Sequence, residues 1–140
     1  MKLRIKKLDS SIISPNYVHE GDAAFDLRAG EEIVIKPGEK SIIGTKLIIS
    51  IPKDYVGLIW DRSGLAAKNE ITVLGGVIDS GYREEVKIIL KNLGKESFVI
   101  KKNDRIAQMI IQPYLKAEIE EVSALEETDR KGGLGYTGIK

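Results

Sequence analysis

The sequence predicts an all-β domain, and three observations support this fold class. Short runs rich in Ile and Val recur along the chain, and residues typical of turns separate them. Many short strands at this spacing are typical of a sandwich, a jelly roll or a barrel. The chain has 140 residues, which suits one domain with a sizeable core, and no internal repeat or linker divides it.

The predicted strands are residues 3–8, 25–28, 32–35, 41–51, 55–60, 71–74, 86–90, 98–100 and 105–111. Residues 36–39 (Lys-Pro-Gly-Glu) carry Pro and Gly in the central positions of a type II turn, and residues 92–95 and 101–104 predict further turns. From about Ser123 the strand pattern ends. A polar run and four glycines follow, so we expect a core domain of residues 1–122 and a flexible C-terminal arm of residues 123–140.

The composition excludes several classes of function. The net charge is +1, so no strong field indicates a nucleic-acid or anionic-membrane partner. Cysteine is absent, which excludes disulfides and thiolate chemistry. His19 is the only histidine, which excludes a Ser-His-Asp triad and a site with several His ligands. No apolar run approaches membrane-spanning length, and we expect a cytoplasmic location.

Residues 75–82 predict a hairpin that could hold a flat ligand. Their glycine pair would let the backbone approach such a ligand closely, and neighbouring backbone groups could bind its edge. Gly81 permits a turn with positive φ, Asp79 supplies a carboxylate, and Tyr82 supplies a ring with a polar tip. Taken alone, the pattern favours an ordinary turn, because Gly and Asp dominate turns for local reasons.

Residues 61–69 predict a short helix after the strand that ends at Trp60. Ser63 could cap this helix and leave the N–H groups of Gly64 and Leu65 pointing outward. Such a helix start binds anions, and Arg62 adds a positive fork. An ordinary Ser cap beside a surface Arg is an equally good interpretation of these residues alone.

Three further stretches carry polar groups that could serve a ligand. Asp26 alternates with apolar residues on a predicted strand, and Gln108 places an amide within an apolar run, a poor position without a partner. In the tail, glycine amides near Arg130 could form an anion-binding nest. Taken alone, these stretches favour a solvated Asp, a strand at the edge of the core and a disordered tail.

Together and in this order, the stretches resemble the five motifs of the trimeric dUTPase family. The matching segments are AAFDLRA (23–29), DRSGLAAKN (61–69), GGVIDSGYREEV (75–86), NDRIAQMII (103–111) and RKGGLGYTG (130–138). The resemblance implies a distorted jelly-roll β-barrel over residues 1–122. It also implies a homotrimer with active sites at the subunit interfaces, each completed by the C-terminal arm of a neighbouring subunit.

The same resemblance implies a dUTP diphosphatase that converts dUTP to dUMP and pyrophosphate with Mg2+. That reaction keeps uracil out of DNA and supplies dUMP for dTMP synthesis. Asp79 would orient and deprotonate the water that attacks the α-phosphorus. Tyr82 would pack against the deoxyribose and exclude a 2′-hydroxyl. Backbone groups of the hairpin, including Val77 and Ile78, would pair with the uracil edge, and Lys87 would line the nucleotide site.

The phosphates would be held by Arg62, Ser63 and Gly64, as the resemblance implies. Gln108 would contact the phosphate chain. Asp26 would act on Mg2+ through water, since this ion retains several waters and takes few direct carboxylates. No nucleic-acid or membrane partner is expected.

The tail departs from the family pattern in part. Arg130 would close over the γ-phosphate with the tail glycines, including Gly135, although it lies one residue nearer the glycine pair than is usual. An aromatic ring usually covers the uracil where this chain has Leu134, so either Leu134 or Tyr136 takes that place. In the fourth motif, Asn103 stands where the family usually has Gly.

Two other functions fit the same fold. A dCTP deaminase, alone or with dUTPase activity, needs a Glu on the strand after the hairpin to shuttle a proton, and this chain has Ile89 there. A non-catalytic regulatory trimer would be expected to lack Asp79 or Ser63, and both are present. Both alternatives therefore rank below the diphosphatase.

Overall fold

The computed structural model describes residues 1–129 and 132 and shows a mostly-β chain with one short helix. The strands are β1 (Arg4–Lys7), β2 (Phe25–Arg28), β3 (Ile33–Ile35), β4 (Lys40–Gly44), β5 (Leu47–Ser50), β6 (Tyr55–Trp60), β7 (Ile71–Leu74), β8 (Val77–Ile78), β9 (Lys87–Asn92), β10 (Phe98–Ile100) and β11 (Arg105–Pro113). The helix is α1 (Ser63–Asn69). The all-β prediction is confirmed at this level.

The strands form antiparallel sheets around one apolar core. The largest has the order β2-β11-β6-β8, a second has the order β4-β9-β7, and β1-β5 and β10-β3 are pairs. The core follows from alternation along the strands, because successive side chains point to opposite faces. In β9, for example, Ile88 and Leu90 are buried and Lys87 is exposed.

The prediction of a single strand over residues 41–51 is wrong. The chain breaks at Thr45 and Lys46, so β4 pairs with β9 whereas β5 pairs with β1. Lys46 has a φ of 55°, and its N–H donates to the Glu85 carboxylate at 2.8 Å. The buried Thr45 hydroxyl donates to the Val86 carbonyl at 2.7 Å. These distant partners satisfy the polar groups at the break between β4 and β5. The sequence around residues 45 and 46 therefore gives no sign of the break.

The predicted hairpin is present, but it spans two sheets. β7 pairs with β9, whereas β8, between them in sequence, pairs with β6 of the largest sheet. The positive φ values occur at Gly75 (70°) and Gly76 (112°), and Gly81 has no positive φ. The turn after β8 closes through the Tyr82 N–H, which donates to the Asp79 carbonyl at 3.1 Å.

The segment after β1 is fastened to the predicted turn at residues 101–104. Lys102 Nζ donates to Asp9 Oδ2 at 2.7 Å, and this bond, with one from the Ser11 hydroxyl, holds the pKa of the Asp9 carboxyl far below its ordinary value. Asn103 has a φ of 70°, which Asn tolerates better than most residues. Its side chain accepts from the Ile13 N–H at 3.0 Å and donates to the Ser11 carbonyl at 3.2 Å. Asn103 therefore adds contacts that a glycine could not make.

The chain leaves the sheets after β11. Residues 114–129 contain no strand or helix, and Leu115 and Ile119 are 99% and 95% exposed. Arg130, Leu134 and Gly135 lie outside the described residues, so the arm and its boundary stay predictions. No helix within residues 1–129 and 132 has both the length and the apolar character needed to cross a membrane.

Candidate active site

Three of the predicted phosphate ligands, Arg62, Ser63 and Gly64, lie at the start of α1. The expectation that Ser63 caps α1 is wrong, because Arg62 occupies the N-cap with extended backbone and Ser63 is the first helical residue. The Arg62 carbonyl accepts from the Leu65 N–H at 2.9 Å, so that N–H does not point outward. Ser63 and Gly64 are exposed, and their N–H groups have no partner within the helix because they lie in its first turn.

Arg62 is held in place by Asp26. Its Nε lies 2.9 Å from Asp26 Oδ1, and Arg105 Nη1 lies 3.3 Å from Asp26 Oδ2. Arg62 Nη1 also donates to the Arg105 carbonyl at 3.0 Å. Asp26 is half-buried. The buried residues of β2, Phe25 and Leu27, lie on the opposite face of the strand, as the alternation predicts. The carboxylate therefore fixes the guanidinium direction at the start of α1.

Gln108 joins this group from β11. Its register partners are Asp26 on β2 and Trp60 on β6, so the three side chains lie in one row on the outer face of the sheet. Gln108 Nε2 donates to the Asp61 carbonyl at 2.7 Å, which supplies the partner that an amide in an apolar strand requires.

The hairpin presents its backbone closely against β6. The Ile59 N–H donates to the Gly76 carbonyl at 2.8 Å, and a Cβ on Gly76 would lie 2.6 Å from the Ile59 carbonyl oxygen. Beside this contact is a cavity of about 380 Å³, lined by Leu58, Ile59, Trp60, Asp61, Thr72, Val73, Gly75, Gly76 and Val77. Only a glycine fits at residue 76, between the hairpin and β6.

Asp79 and Tyr82 follow β8 at the far end of the hairpin. Asp79 is exposed and borders a second cavity of about 500 Å³, together with Tyr114 and Lys116. Tyr82 is half-buried, and its hydroxyl donates to the Glu85 carbonyl at 2.9 Å. Lys87 is exposed at the start of β9. Arg62, with its neighbours Asp26 and Gln108, is called the Arg62 group below. Among residues 1–129 and 132, no hydrogen bond or ion pair joins Asp79 to this group.

Asp61 was missed by sequence reasoning. Its Oδ1 accepts from the Val73 N–H at 2.5 Å, and its Oδ2 accepts from the Thr72 hydroxyl at 2.9 Å. An Asp between a strand and a helix is ordinarily interpreted as a local cap, and no sequence signal indicates that its partners lie on β7. The structure thus connects the loop that carries Asp61 and Arg62 directly to the strand that enters the hairpin.

The acidic residues near Arg62 suit a magnesium ion that they would contact through its bound waters rather than directly. In residues 1–129 and 132, no cluster of three or more His, Cys, Asp or Glu residues could form a protein cage for a metal. Both oxygens of Asp26 already contact guanidinium groups, although a carboxylate can accept further bonds from water. This donor set fits an ion bound mainly by substrate phosphates and its own waters.

Solved structures define the class of protein to which this fold belongs. The dUTPase of Staphylococcus bacteriophage 80alpha, solved with dUPNHPP, matches with a TM-score of 0.91 and 30% identity over 99% of each chain. A variant dUTPase from phage phi11 of S. aureus, solved to show the coordination of a structural Mg(II) ion, matches with a TM-score of 0.84 and 27% identity over 91% of this chain and 100% of that chain. The fold is that of the solved dUTPases.

Sequence relatives then identify the family. The dUTPase family model matches residues 10–138. A deoxyuridine 5'-triphosphate nucleotidohydrolase of Clostridium acetobutylicum is 51% identical over 100% of this chain and 99% of its own, and one of Nautilia profundicola is 50% identical over 99% of each. The chain belongs to the dUTPase family. The predicted family and enzyme class, dUTP diphosphatase, are confirmed.

Proposed function

We propose that this protein hydrolyses dUTP to dUMP and pyrophosphate by attack of water on the α-phosphorus. One observation carries the proposal beyond family membership. Arg62 pairs with Asp26 at 2.9 Å and Gln108 donates to the Asp61 carbonyl at 2.7 Å, so positive charge and hydrogen-bond donors lie at the start of α1, and the glycine hairpin ends in the exposed carboxylate of Asp79. Phosphoryl transfer needs positioning and charge neutralisation more than covalent chemistry, and this arrangement offers both.

The hairpin would recognise uracil and deoxyribose. Its backbone is accessible because Gly75 and Gly76 carry no side chain, and the N–H and carbonyl groups near Val77 and Ile78 can pair with the edge of a base. Tyr82 would pack against the sugar. Its hydroxyl is already bonded, so its ring cannot turn freely to admit a 2′-hydroxyl.

The phosphates would lie against the start of α1. Arg62 supplies a guanidinium whose direction is set by Asp26, while Ser63 and Gly64 supply exposed backbone and hydroxyl groups. Gln108 would contact the phosphate chain, and Lys87 would line the nucleotide site. A preorganised guanidinium needs no reorientation as charge develops on the phosphate oxygens.

Mg2+ would neutralise charge on the triphosphate and polarise it for attack. Asp26 would hold the waters of this ion. Asp79 would orient the attacking water and accept its proton, a step that contributes roughly 100- to 10,000-fold in enzymes generally. Arg130, Leu134 and Gly135 would then close over the substrate and exclude bulk water.

We propose that the active form is a homotrimer of distorted jelly-roll barrels with exchanged C-terminal arms. Two features support this. Asp79 and the Arg62 group are not joined by any hydrogen bond or ion pair in residues 1–129 and 132, as expected if two subunits contribute to one site. Leu115 and Ile119 are almost fully exposed on the segment that leads into the arm, where a neighbouring subunit would cover them. A cytoplasmic location and a role in dTMP supply stay predictions.

The deaminase alternative has less support. Ile89 lies between Ile42 and Leu74 in register on the three-stranded sheet, and none of these side chains can move a proton. A non-catalytic regulatory trimer is not favoured by any contact among the described residues.

The test compares pyrophosphate release from dUTP, UTP, dTTP and dCTP, with ammonia measured in the dCTP reaction. We expect release from dUTP alone. Asp79→Asn should abolish turnover and keep binding of a non-hydrolysable dUTP analogue. Glu84→Gln is the matched control, because Glu84 is an exposed carboxylate on the same loop. Full activity of Asp79→Asn, or ammonia from dCTP, would refute the proposal.

A further inference from the structure

We propose that Glu85 is a positioning residue that holds the turn carrying Asp79 and Tyr82 in place and thereby sets the preference for deoxyribose over ribose. This role rests on the proposed function, in which Tyr82 packs against the sugar. Every contact described for Glu85 lies within the chain that supplies Asp79 and Tyr82. The role is therefore the same whichever subunit supplies Arg62.

The Glu85 carboxylate binds the corner between β4 and β5. Its Oε1 accepts from the Lys46 N–H at 2.8 Å and lies 3.7 Å from Lys46 Nζ. The Glu85 side chain is only 17% exposed, so this hydrogen bond is largely shielded from competing water. The same carboxylate lies against Gly44, where a Cβ would clash with Oε1. The corner therefore holds the carboxylate through a hydrogen bond and through close packing.

The backbone of Glu85 binds the tip of the Tyr82 ring. Its carbonyl accepts from the Tyr82 hydroxyl at 2.9 Å, and the Tyr82 N–H donates to the Asp79 carbonyl at 3.1 Å. The next residue, Val86, is joined to the same corner, because its N–H donates to the Leu47 carbonyl at 2.8 Å. The ring and the turn are thus connected through Glu85 to the body of the domain.

The other side-chain contacts of this turn are local. Arg83 Nη1 donates to the carbonyls of Ser80 and Tyr82, which belong to the turn itself. Among residues 1–129 and 132, Glu85 is the one residue of 79–85 whose side chain forms a hydrogen bond or ion pair with another part of the chain. Without that contact, the turn is joined to the domain only through the backbone at its two ends.

A shift of this turn would change the space beside the sugar. Tyr82 is proposed to exclude a 2′-hydroxyl by the position of its ring, and packing of this kind discriminates by about 100-fold. Packing depends steeply on distance, and a displacement of about 1 Å in a substrate-positioning element can cost about 100-fold in rate. A loosened ring would therefore give a ribose the room that its hydroxyl needs, while dUTP gains nothing from that room.

The experiment measures kcat/KM for pyrophosphate release from dUTP and from UTP in wild type, Glu85→Ala, Glu85→Gln and Glu84→Ala. The ratio of the two constants does not depend on the fraction of protein that is active. We expect the ratio to fall about 10-fold in Glu85→Ala and to stay within about 3-fold of wild type in Glu85→Gln, because an amide oxygen can still accept from the Lys46 N–H. Glu84→Ala is the matched control, since Glu84 is an adjacent and exposed carboxylate, and its ratio should not change.

Gly44→Ala tests the same contact from the other side. The three atoms nearest to the new Cβ all belong to the Glu85 carboxyl group, and Gly44 has no positive φ, so an alanine should displace the carboxylate without straining the backbone. We expect the ratio to fall as in Glu85→Ala and to fall no further in the double variant, because both changes break the same bond. Hydrogen exchange at the Lys46 and Tyr82 amides should accelerate in both single variants and stay unchanged in Glu84→Ala.

An unchanged ratio in Glu85→Ala would overturn the inference, whatever happens to total activity. An equal fall in Glu84→Ala would also overturn it, because loss of charge on the turn would then be responsible, and an equal fall in Glu85→Gln would show that the Lys46 N–H is not the anchor. If Glu85→Ala does not fold, Gly44→Ala decides, and an unchanged ratio there counts against the inference. If wild type releases no pyrophosphate from dUTP, the proposed function fails. The anchor is then judged by exchange alone, and an unchanged rate at the Tyr82 amide in Glu85→Ala or Gly44→Ala would overturn it.

Discussion

The close contact between Gly76 and Ile59 gives the sharpest prediction for the hairpin. We compare Gly76→Ala with Gly75→Ala, since the two changes are chemically identical and adjacent in sequence. Both residues have positive φ, so both alanines strain the backbone. Only the Cβ at residue 76 meets another atom, because nothing lies within 4 Å of a Cβ at residue 75.

The magnitude follows from the distances. A Cβ at residue 76 would lie 2.6 Å from the Ile59 carbonyl oxygen, whereas ordinary contacts begin at 3.4 Å, so the hairpin has to retreat by about 0.8 Å. Backbone strain should destabilise either variant by about 1–2 kcal/mol. The retreat at residue 76 also weakens the 2.8 Å bond from the Ile59 N–H to the Gly76 carbonyl, which adds about 1 kcal/mol.

Activity should separate the two variants further than stability does. If the hairpin binds the base as proposed, a displacement approaching 1 Å should lower kcat/KM for dUTP by about 100-fold in Gly76→Ala, and we expect less than about 10-fold in Gly75→Ala. The assay is pyrophosphate release at saturating Mg2+. Hydrogen exchange at the Ile59 amide reports the bond directly and should accelerate only in Gly76→Ala.

Equal activity and equal exchange in the two variants would refute this reasoning. That result would mean that the hairpin can shift without a loss of activity, or that β6 moves away from the new Cβ without a loss of stability. A lower activity in Gly76→Ala with unchanged exchange at Ile59 would also contradict it, because the effect would then not come from the contact described.

Three further changes test other parts of the molecule. Asn92→Ala should lower the free energy of unfolding by about 3 kcal/mol in urea titrations, because this fully buried amide binds two carbonyls and one N–H. The depressed pKa of Asp9 means that its bond to Lys102 stabilises the fold above the unfolded pKa of about 4 and that this contribution is lost as the pH falls further, so the advantage of wild type over Asp9→Asn should shrink below that pH. Asp26→Asn should raise the Mg2+ concentration for half-maximal pyrophosphate release by about 10-fold.

Each of these has a clear contrary outcome. Wild-type stability in Asn92→Ala would show that water replaces the lost bonds. An advantage over Asp9→Asn that is constant from pH 7 to pH 2 would show that the Lys102 bond does not persist in solution. An unchanged Mg2+ requirement in Asp26→Asn would indicate that Asp26 acts only through Arg62.

Much of the fold could be predicted because it depends on local chemistry. The Ile- and Val-rich runs became strands almost where predicted, since alternation along a strand is a property of neighbouring residues. The turn at residues 36–39 formed as expected, with Gly38 at a φ of 75° and the Glu39 N–H bonded to the Lys36 carbonyl at 3.0 Å. The order of the five motifs likewise indicated the family, which the relatives confirm.

The errors have a common physical origin. The break at Thr45 and Lys46 depends on Val86 and Glu85, about forty residues away. Ser63 was expected to cap α1, yet Arg62 occupies the N-cap, and Asp26 on β2 pairs with its side chain. In each case a distant partner outweighed the local preference of the residues concerned.

The sequence by itself determined which segments are strands, where several turns lie and which family the chain belongs to, because these properties follow from the order of side chains along the chain. Only the tertiary structure decided that β8 joins β6, that Asp26 directs Arg62 and that Asp61 connects the loop to β7. Those contacts depend on how the sheets pack. Packing brings together groups that are far apart in the sequence, so their distance in space cannot be predicted from their separation along the chain.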